Sequence, residues 1–229
     1  KLKEVTNRKD AKKFLNVARI LYKEDKNWIC PLDSDIEAIF NPALNAYFND
    51  GNAIRWILED EKGNLIGRVA AFYNTKKAHT YEQPTGGLGF FECIDNREAA
   101  FLMFDHCKEW LQKQGMEAMD GPVNFGENDQ YWGLLVEGFT QQSYGMNYHH
   151  PYYRKFFEEY GFFPYFEQIT NHLDVTVPFP DRFWKIADWI AKKPGFTYEH
   201  FRMSNANKYI RDLISVYDQA WANHEHFTP

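Results

Sequence analysis

The sequence predicts an α+β fold: a mixed, mostly antiparallel sheet flanked by helices on both faces. Three observations predict it. Two segments, near residues 9–23 and from Asp95 or Asn96 to about Gln114, carry apolar residues at threes and fours, the period of a helix lying on a core. Two strand-like runs, Ala53–Leu58 and Leu65–Tyr73, flank a turn whose Gly63 and Asn64 tolerate positive φ. Hydrophobic residues make up 44% and charged residues 25%, which excludes a disordered tail or a collagen-like rod.

In chain order, the first helix presents Phe14, Leu15, Ala18, Leu21 and Tyr22 on one stripe. A short helix over Asp33–Phe40 is interrupted by Asn41-Pro42. The hairpin follows, then a Phe-rich strand at Gly87–Ile94 and the long helix, whose stripe runs through Ala99, Ala100, Met103, Phe104, Cys107, Trp110 and Leu111 until Gly115 ends it. Ala118–Val123 reads as a short strand, and Asp129 as the cap of a helix over Gln130–Gly138. A helix over Pro151–Tyr160 stops at Gly161, Phe166–Val175 is strand-like, and Pro178-Phe-Pro180 opens another helix. After Lys192-Lys-Pro-Gly195 the pattern restarts: a strand over Phe196–Phe201, then a helix whose Lys208-Tyr209-Ile210 echoes Lys13-Phe14-Leu15. The organisation expected is therefore a domain over 1–177, a helical linker over 178–195, and the start of a second similar unit over 196–229. Such a half-built unit would leave an apolar face to cover, which points to a homodimer.

Lys and Arg number 26 against 32 Asp and Glu, a net charge of −6 with no dense basic run, and this argues against nucleic acid as a partner. No run of 18 apolar residues exists, so no membrane span is expected. Three cysteines, Cys30, Cys93 and Cys107, cannot all pair and none lies in a CxxC, which suits reduced thiols in a cytoplasmic protein. Cys93 and Cys107 fall on a strand and an apolar helix stripe and are expected to be buried. The chain opens at Lys1 rather than at a methionine and stops at Pro229, so trimmed ends are expected. Adjacent His149-His150, and His224 with His226, lack the three or four convergent ligands of a metal site, and no metal is expected.

The order of elements, with Gly63-Asn-Leu-Ile-Gly-Arg-Val-Ala70, Glu109-Trp110…Gly115 and Tyr153…Gly161-Phe162, resembles the GNAT superfamily of acyl-CoA-dependent N-acyltransferases. Gly121-Pro-Val-Asn124, Leu134-Leu-Val-Glu-Gly-Phe139 and Tyr148-His-His-Pro-Tyr-Tyr153 are similar to a bacterial tandem-GNAT subgroup. The resemblance implies acetyl-CoA or another acyl-CoA as co-substrate and a small-molecule or peptide amine as acceptor. It implies that the diphosphate sits on N–H groups at the start of the long helix, where the dipole favours an anion. The matching residues are Cys93, Ile94, Asn96, Arg97, Glu98, Ala99 and Ala100.

The sequence departs from the family there. Glycines that let backbone approach phosphate are missing, and Asp95 and Glu98 bring negative charge; a well-capped helix explains the same residues. The position where the family places a tyrosine acid is Phe157, leaving Tyr153 as the substitute, with simple packing as the alternative. Glu92, at the end of the Phe-rich strand, is the candidate to take the amine proton, with an edge salt bridge as its alternative. In the polar-aromatic stretch that follows, Asn124, Asn128, Tyr131 and Trp132 are the candidate substrate contacts, with capping and turn formation as the alternative. The expected function is an acyl-CoA-dependent N-acyltransferase-like protein whose copy here is catalytically degenerate; the alternative is a non-catalytic binding or scaffolding domain with the same fold.

Overall fold

The computed structural model describes residues 1–222, divided into a unit over Lys1–Ile169 and a second beginning at Thr170. In the first unit, β1 (Leu2–Glu4), β2 (Gly51–Glu59), β3 (Leu65–Asn74), β4 (Thr85–Cys93) and β5 (Ala118–Asp120) form one sheet in sequence order. Pairing is antiparallel throughout except between β4 and β5, where Thr85 faces Ala118 and Gly87 faces Asp120 in parallel. The parallel step follows from the connection: α4 (Arg97–Lys113) carries the chain back along the sheet between the two strands.

Helices cover both faces. On one lie α1 (Arg8–Leu21) and α2 (Asp33–Ile39), packing Phe14, Leu15 and Ile36 on Ile57, Ala70 and Phe72. On the other, α4 and α5 (Tyr153–Tyr160) bring Met103, Phe104, Cys107, Phe156 and Phe157 against Leu58, Val69, Ala71, Leu88 and Phe91. The alternation in β3 sends successive residues to the two cores. Asn7 caps α1 by accepting from the Lys9 and Asp10 N–H groups, and Gly161 ends α5 at φ 110°. A one-turn helix, α3 (Thr75–Ala78), capped by Asn74, follows β3 directly.

Cys93 and Cys107 are buried and Cys30 is exposed. Four expected elements are corrected. Gln130–Gly138 is not a helix: Tyr131, Gly133 and Gly138 all take positive φ, which breaks a helical run at every turn. Phe166–Val175 and Phe196–Phe201 carry no strand: hydrophobic alternation supplies a face, but a strand also needs a hydrogen-bonded neighbour. The strand expected over Ala118–Val123 stops at Asp120, just before the Gly121–Pro122 bond. The second unit, in its described residues, consists of α6 (Asp181–Ala191), a short 3-10 turn and α7 (Ala206–Trp221). His224 and His226 lie outside the described residues. Among those described, no helix is long and apolar enough to cross a membrane.

Candidate active site

The β3–β4 ladder is regular from Phe72–Gly87 to Ala70–Gly89 and resumes at Arg68–Glu92, so Phe90 and Phe91 together oppose the single Val69. This is a β-bulge, and Phe90 accommodates it at φ 52°. Its effect is to turn Glu92 onto the face that carries α1, directly across from Arg68.

There the two make a buried ion pair. Arg68 donates from Nη2 to Glu92 Oε1 at 3.4 Å, and the side chains are 5% and 8% exposed. Arg68 also donates from Nη1 to the Phe14 carbonyl at 3.1 Å and lies over the Phe14 ring. Glu92 Oε2 accepts from the Tyr153 hydroxyl at 2.9 Å, and that hydroxyl in turn accepts from the Cys93 N–H at 2.8 Å. Burial pushes the Glu92 carboxyl above its usual range, against the opposing pull of Arg68 and of the Tyr22 and Tyr153 hydroxyls. The Tyr153 phenol is pushed well up by burial and by the Glu92 charge. The two candidate catalytic residues, 61 positions apart in the chain, thus share one hydrogen bond. Since the Tyr153 hydroxyl donates its only proton to Glu92, it would have to surrender that bond to protonate a leaving group.

Arg68, Tyr22 and His149 join this cluster without having been singled out for it. Tyr22, on the last turn of the α1 segment, donates to the Tyr148 carbonyl at 3.2 Å and stacks on His150 at 4.3 Å between centroids. His149 is fully buried, and its Nδ1 accepts from the Leu135 N–H at 3.0 Å, which places the ring proton on Nε2. Burial, with His150 and Arg68 nearby, pushes its pKa down to about 3. An unfolded histidine near 6.5 therefore binds a proton that the folded protein refuses, so this stabilisation is complete above pH 6.5 and drains away below it. We expect stability to fall by at most about 1.4 kcal/mol per pH unit between pH 6 and 4 from this group. In His149→Asn, which keeps an acceptor for Leu135, urea titrations at a series of pH values should show a flatter slope. An unchanged slope would place the acid sensitivity elsewhere.

At the start of α4 several backbone groups already have partners within the chain. Asn96 Oδ1 accepts the Ala99 N–H at 2.8 Å and the Asn96 carbonyl accepts that of Ala100. The Ile94 N–H is paired with the Ile66 carbonyl, and the Cys93 carbonyl accepts from the Tyr152 hydroxyl at 2.8 Å. Arg97 pairs with Glu159 at 3.1 Å and covers Phe101, while Glu98 stays exposed at the first turn. Of the candidate substrate contacts, Asn124 and Trp132 line one cavity, Tyr131 is buried in the core beside Phe90, and Asn128 is exposed. The structure therefore unites Glu92 with Tyr153 but leaves the Asn124–Trp132 group as a separate place. Among the described residues, no three His, Cys, Asp or Glu side chains gather as a metal site.

No family model matches the chain. It is 27% identical over 230 residues to Protein YghO of Escherichia coli, covering 97% of this chain and 56% of that protein. It is 26% identical over 229 residues to the bacterial ceramide synthase of Caulobacter vibrioides, covering 96% and 57%. The chain thus spans a little over half the length of these curated relatives. Among solved structures, a predicted acetyltransferase of Clostridium acetobutylicum, determined with acetyl-CoA, is similar at 14% identity and a TM-score of 0.45, covering 75% of this chain and 96% of that one. A protein of Pyrococcus furiosus described as a putative acetyl transferase is similar at 12% identity and a TM-score of 0.42, covering 76% and 100%.

Proposed function

We propose that this chain is part of an acyl-CoA-dependent N-acyltransferase of the GNAT type, and that its acceptor is a lipid-like amino alcohol. The observation that carries the reading is the buried Glu92–Tyr153 pair beside the β4 bulge: a carboxylate with a raised pKa is a competent acceptor for the proton of an attacking amine. In that reaction the neutral amine forms a bond to the thioester carbonyl carbon and the C–S bond breaks. The amine proton goes to Glu92, directly or through a water, and the departing thiolate is protonated in turn. The relative named as a ceramide synthase supports the acceptor class, because a ceramide is the N-acyl derivative of a long-chain amino alcohol.

A second reading, a non-catalytic scaffold, is favoured by one observation: the polar backbone groups at the end of β4 and the start of α4 are occupied by Tyr152, Tyr153 and Asn96. Calorimetry with acetyl-CoA and with a long-chain acyl-CoA separates the two. Salt-sensitive binding, tightened severalfold by Glu98→Gly, which removes a like charge from the phosphate's approach, is expected of the enzyme. No heat at millimolar acyl-CoA, with no amide product from a long-chain amino alcohol, would leave the scaffold.

A further inference from the structure

At the other end of β4 the first unit holds a cavity of about 60 Å³, walled in large part by the rings of Tyr47, Phe72, Phe125 and Trp132. Two glycines keep it open. A Cβ at Gly87 would come within 2.2 Å of the Phe72 ring, and one at Gly126 would press on the Asn124 amide at 3.0 Å. The charged side chains of the lining are spent inside the chain: Lys77 pairs with Glu127 at 2.9 Å and lies over the Tyr47 ring, and Asp120 is likewise engaged. Several neutral donors are spent as well. The Tyr47 hydroxyl donates to Glu127 at 2.6 Å, Asn74 Nδ2 to the Tyr47 carbonyl at 3.2 Å, and the Thr85 hydroxyl to the Gln83 carbonyl at 2.8 Å. One acceptor is left over. Asn124, also in the lining, is only 9% exposed, and its Oδ1 is buried with no hydrogen-bond partner among the described residues. A buried acceptor left without a donor is costly, and a ligand donor would recover that cost. Since the charges of the wall are already matched, an ion would enter without compensation, which favours a neutral donor. An O–H is the smallest of these, and the aromatic walls suit a flat apolar skeleton behind it.

We infer that this cavity binds a small, flat, neutral molecule through a single hydroxyl, which donates to Asn124 Oδ1 while the carbon skeleton lies against the aromatic wall. Trp132 is only half-buried, so a ring larger than the cavity itself can extend toward solvent along the indole. Gly87 and Glu92 are five residues apart along β4, about 15 Å at strand rise. The inference uses neither Glu92 nor Tyr153, and the site stands whether or not the chain transfers acyl groups.

The test is a titration of the 229-residue chain with phenol at pH 7, following the Trp132 indole N–H by heteronuclear NMR, its signal assigned from Trp132→Phe. Toluene, which carries a methyl group in place of the hydroxyl, is the control. Saturable binding of phenol is expected, tighter than that of toluene by about fivefold or more although toluene is the more apolar. Asn124→Leu should bring phenol down to the level of toluene and leave toluene itself unchanged. A linear response to phenol, toluene bound as tightly as phenol, or phenol binding unchanged in Asn124→Leu would overturn the inference. If Asn124→Leu fails to fold, the comparison of phenol with toluene in the unaltered chain decides alone.

Discussion

In the acyl transfer proposed above, replacing Glu92 by glutamine is expected to lower the rate by about 10²- to 10⁴-fold, the range for loss of a general base. Glutamine keeps an oxygen that can accept from Tyr153, so packing is preserved while proton acceptance is removed. Since burial raises the Glu92 pKa, the wild-type rate should climb with pH through a midpoint above the ordinary carboxylate range, and the climb should vanish in the variant. Tyr153→Phe deletes one hydrogen bond to the carboxylate and should move that midpoint further up while leaving a measurable rate. A Glu92→Gln enzyme with wild-type kcat would remove the carboxylate from the chemistry and leave it as a structural partner of Arg68.

Replacing Arg68 by methionine is expected to destabilise the protein by about 3–5 kcal/mol, the usual cost of stripping one partner from a buried pair. The replaced guanidinium also spans the Phe14 carbonyl and ring, so α1 loses an anchor to β3. The sign of the pH dependence is a sharper check than the size. Without Arg68 the Glu92 pKa rises further, and a carboxyl with a raised folded-state pKa costs stability as pH rises through it. The variant should therefore be closer to wild type at pH 5 than at pH 8 in urea titrations. Adding Glu92→Gln to Arg68→Met should restore a good part of the loss, because no charge is then left buried alone. Additive effects in the double variant would mean the two side chains are not coupled.

The elements legible in the sequence are those whose period is long and whose ends are marked. The stripe of α4 from Ala99 to Leu111, closed by Gly115, and the hairpin around Gly63 needed no tertiary information. Glu92 and Tyr153 could be named separately, but their meeting depends on a bulge and on α5 closing against the end of β4. No local pattern encodes either. For Arg68 a signal existed: it shares the alternation of Ala70 and Phe72, so a charge there is turned toward a core and requires a buried partner. Gln130–Gly138 misled because Tyr131, Leu134 and Leu135 fall at threes and fours, while the positive φ of Tyr131, Gly133 and Gly138 decides the backbone.

The sheet's borders have a consequence for how copies of the protein meet. Its outermost strands, β1 and β5, are three residues each, and past Leu88 the rim of β4 is occupied by Val123 and by the hydroxyls of two tyrosines. An incoming strand from another molecule finds few open amides in register there, so edge-to-edge polymerisation is disfavoured by construction. Self-association, where it occurs, would have to run through side-chain surfaces, and its strength should follow surface mutations and leave backbone amide exchange in β1 and β5 unchanged.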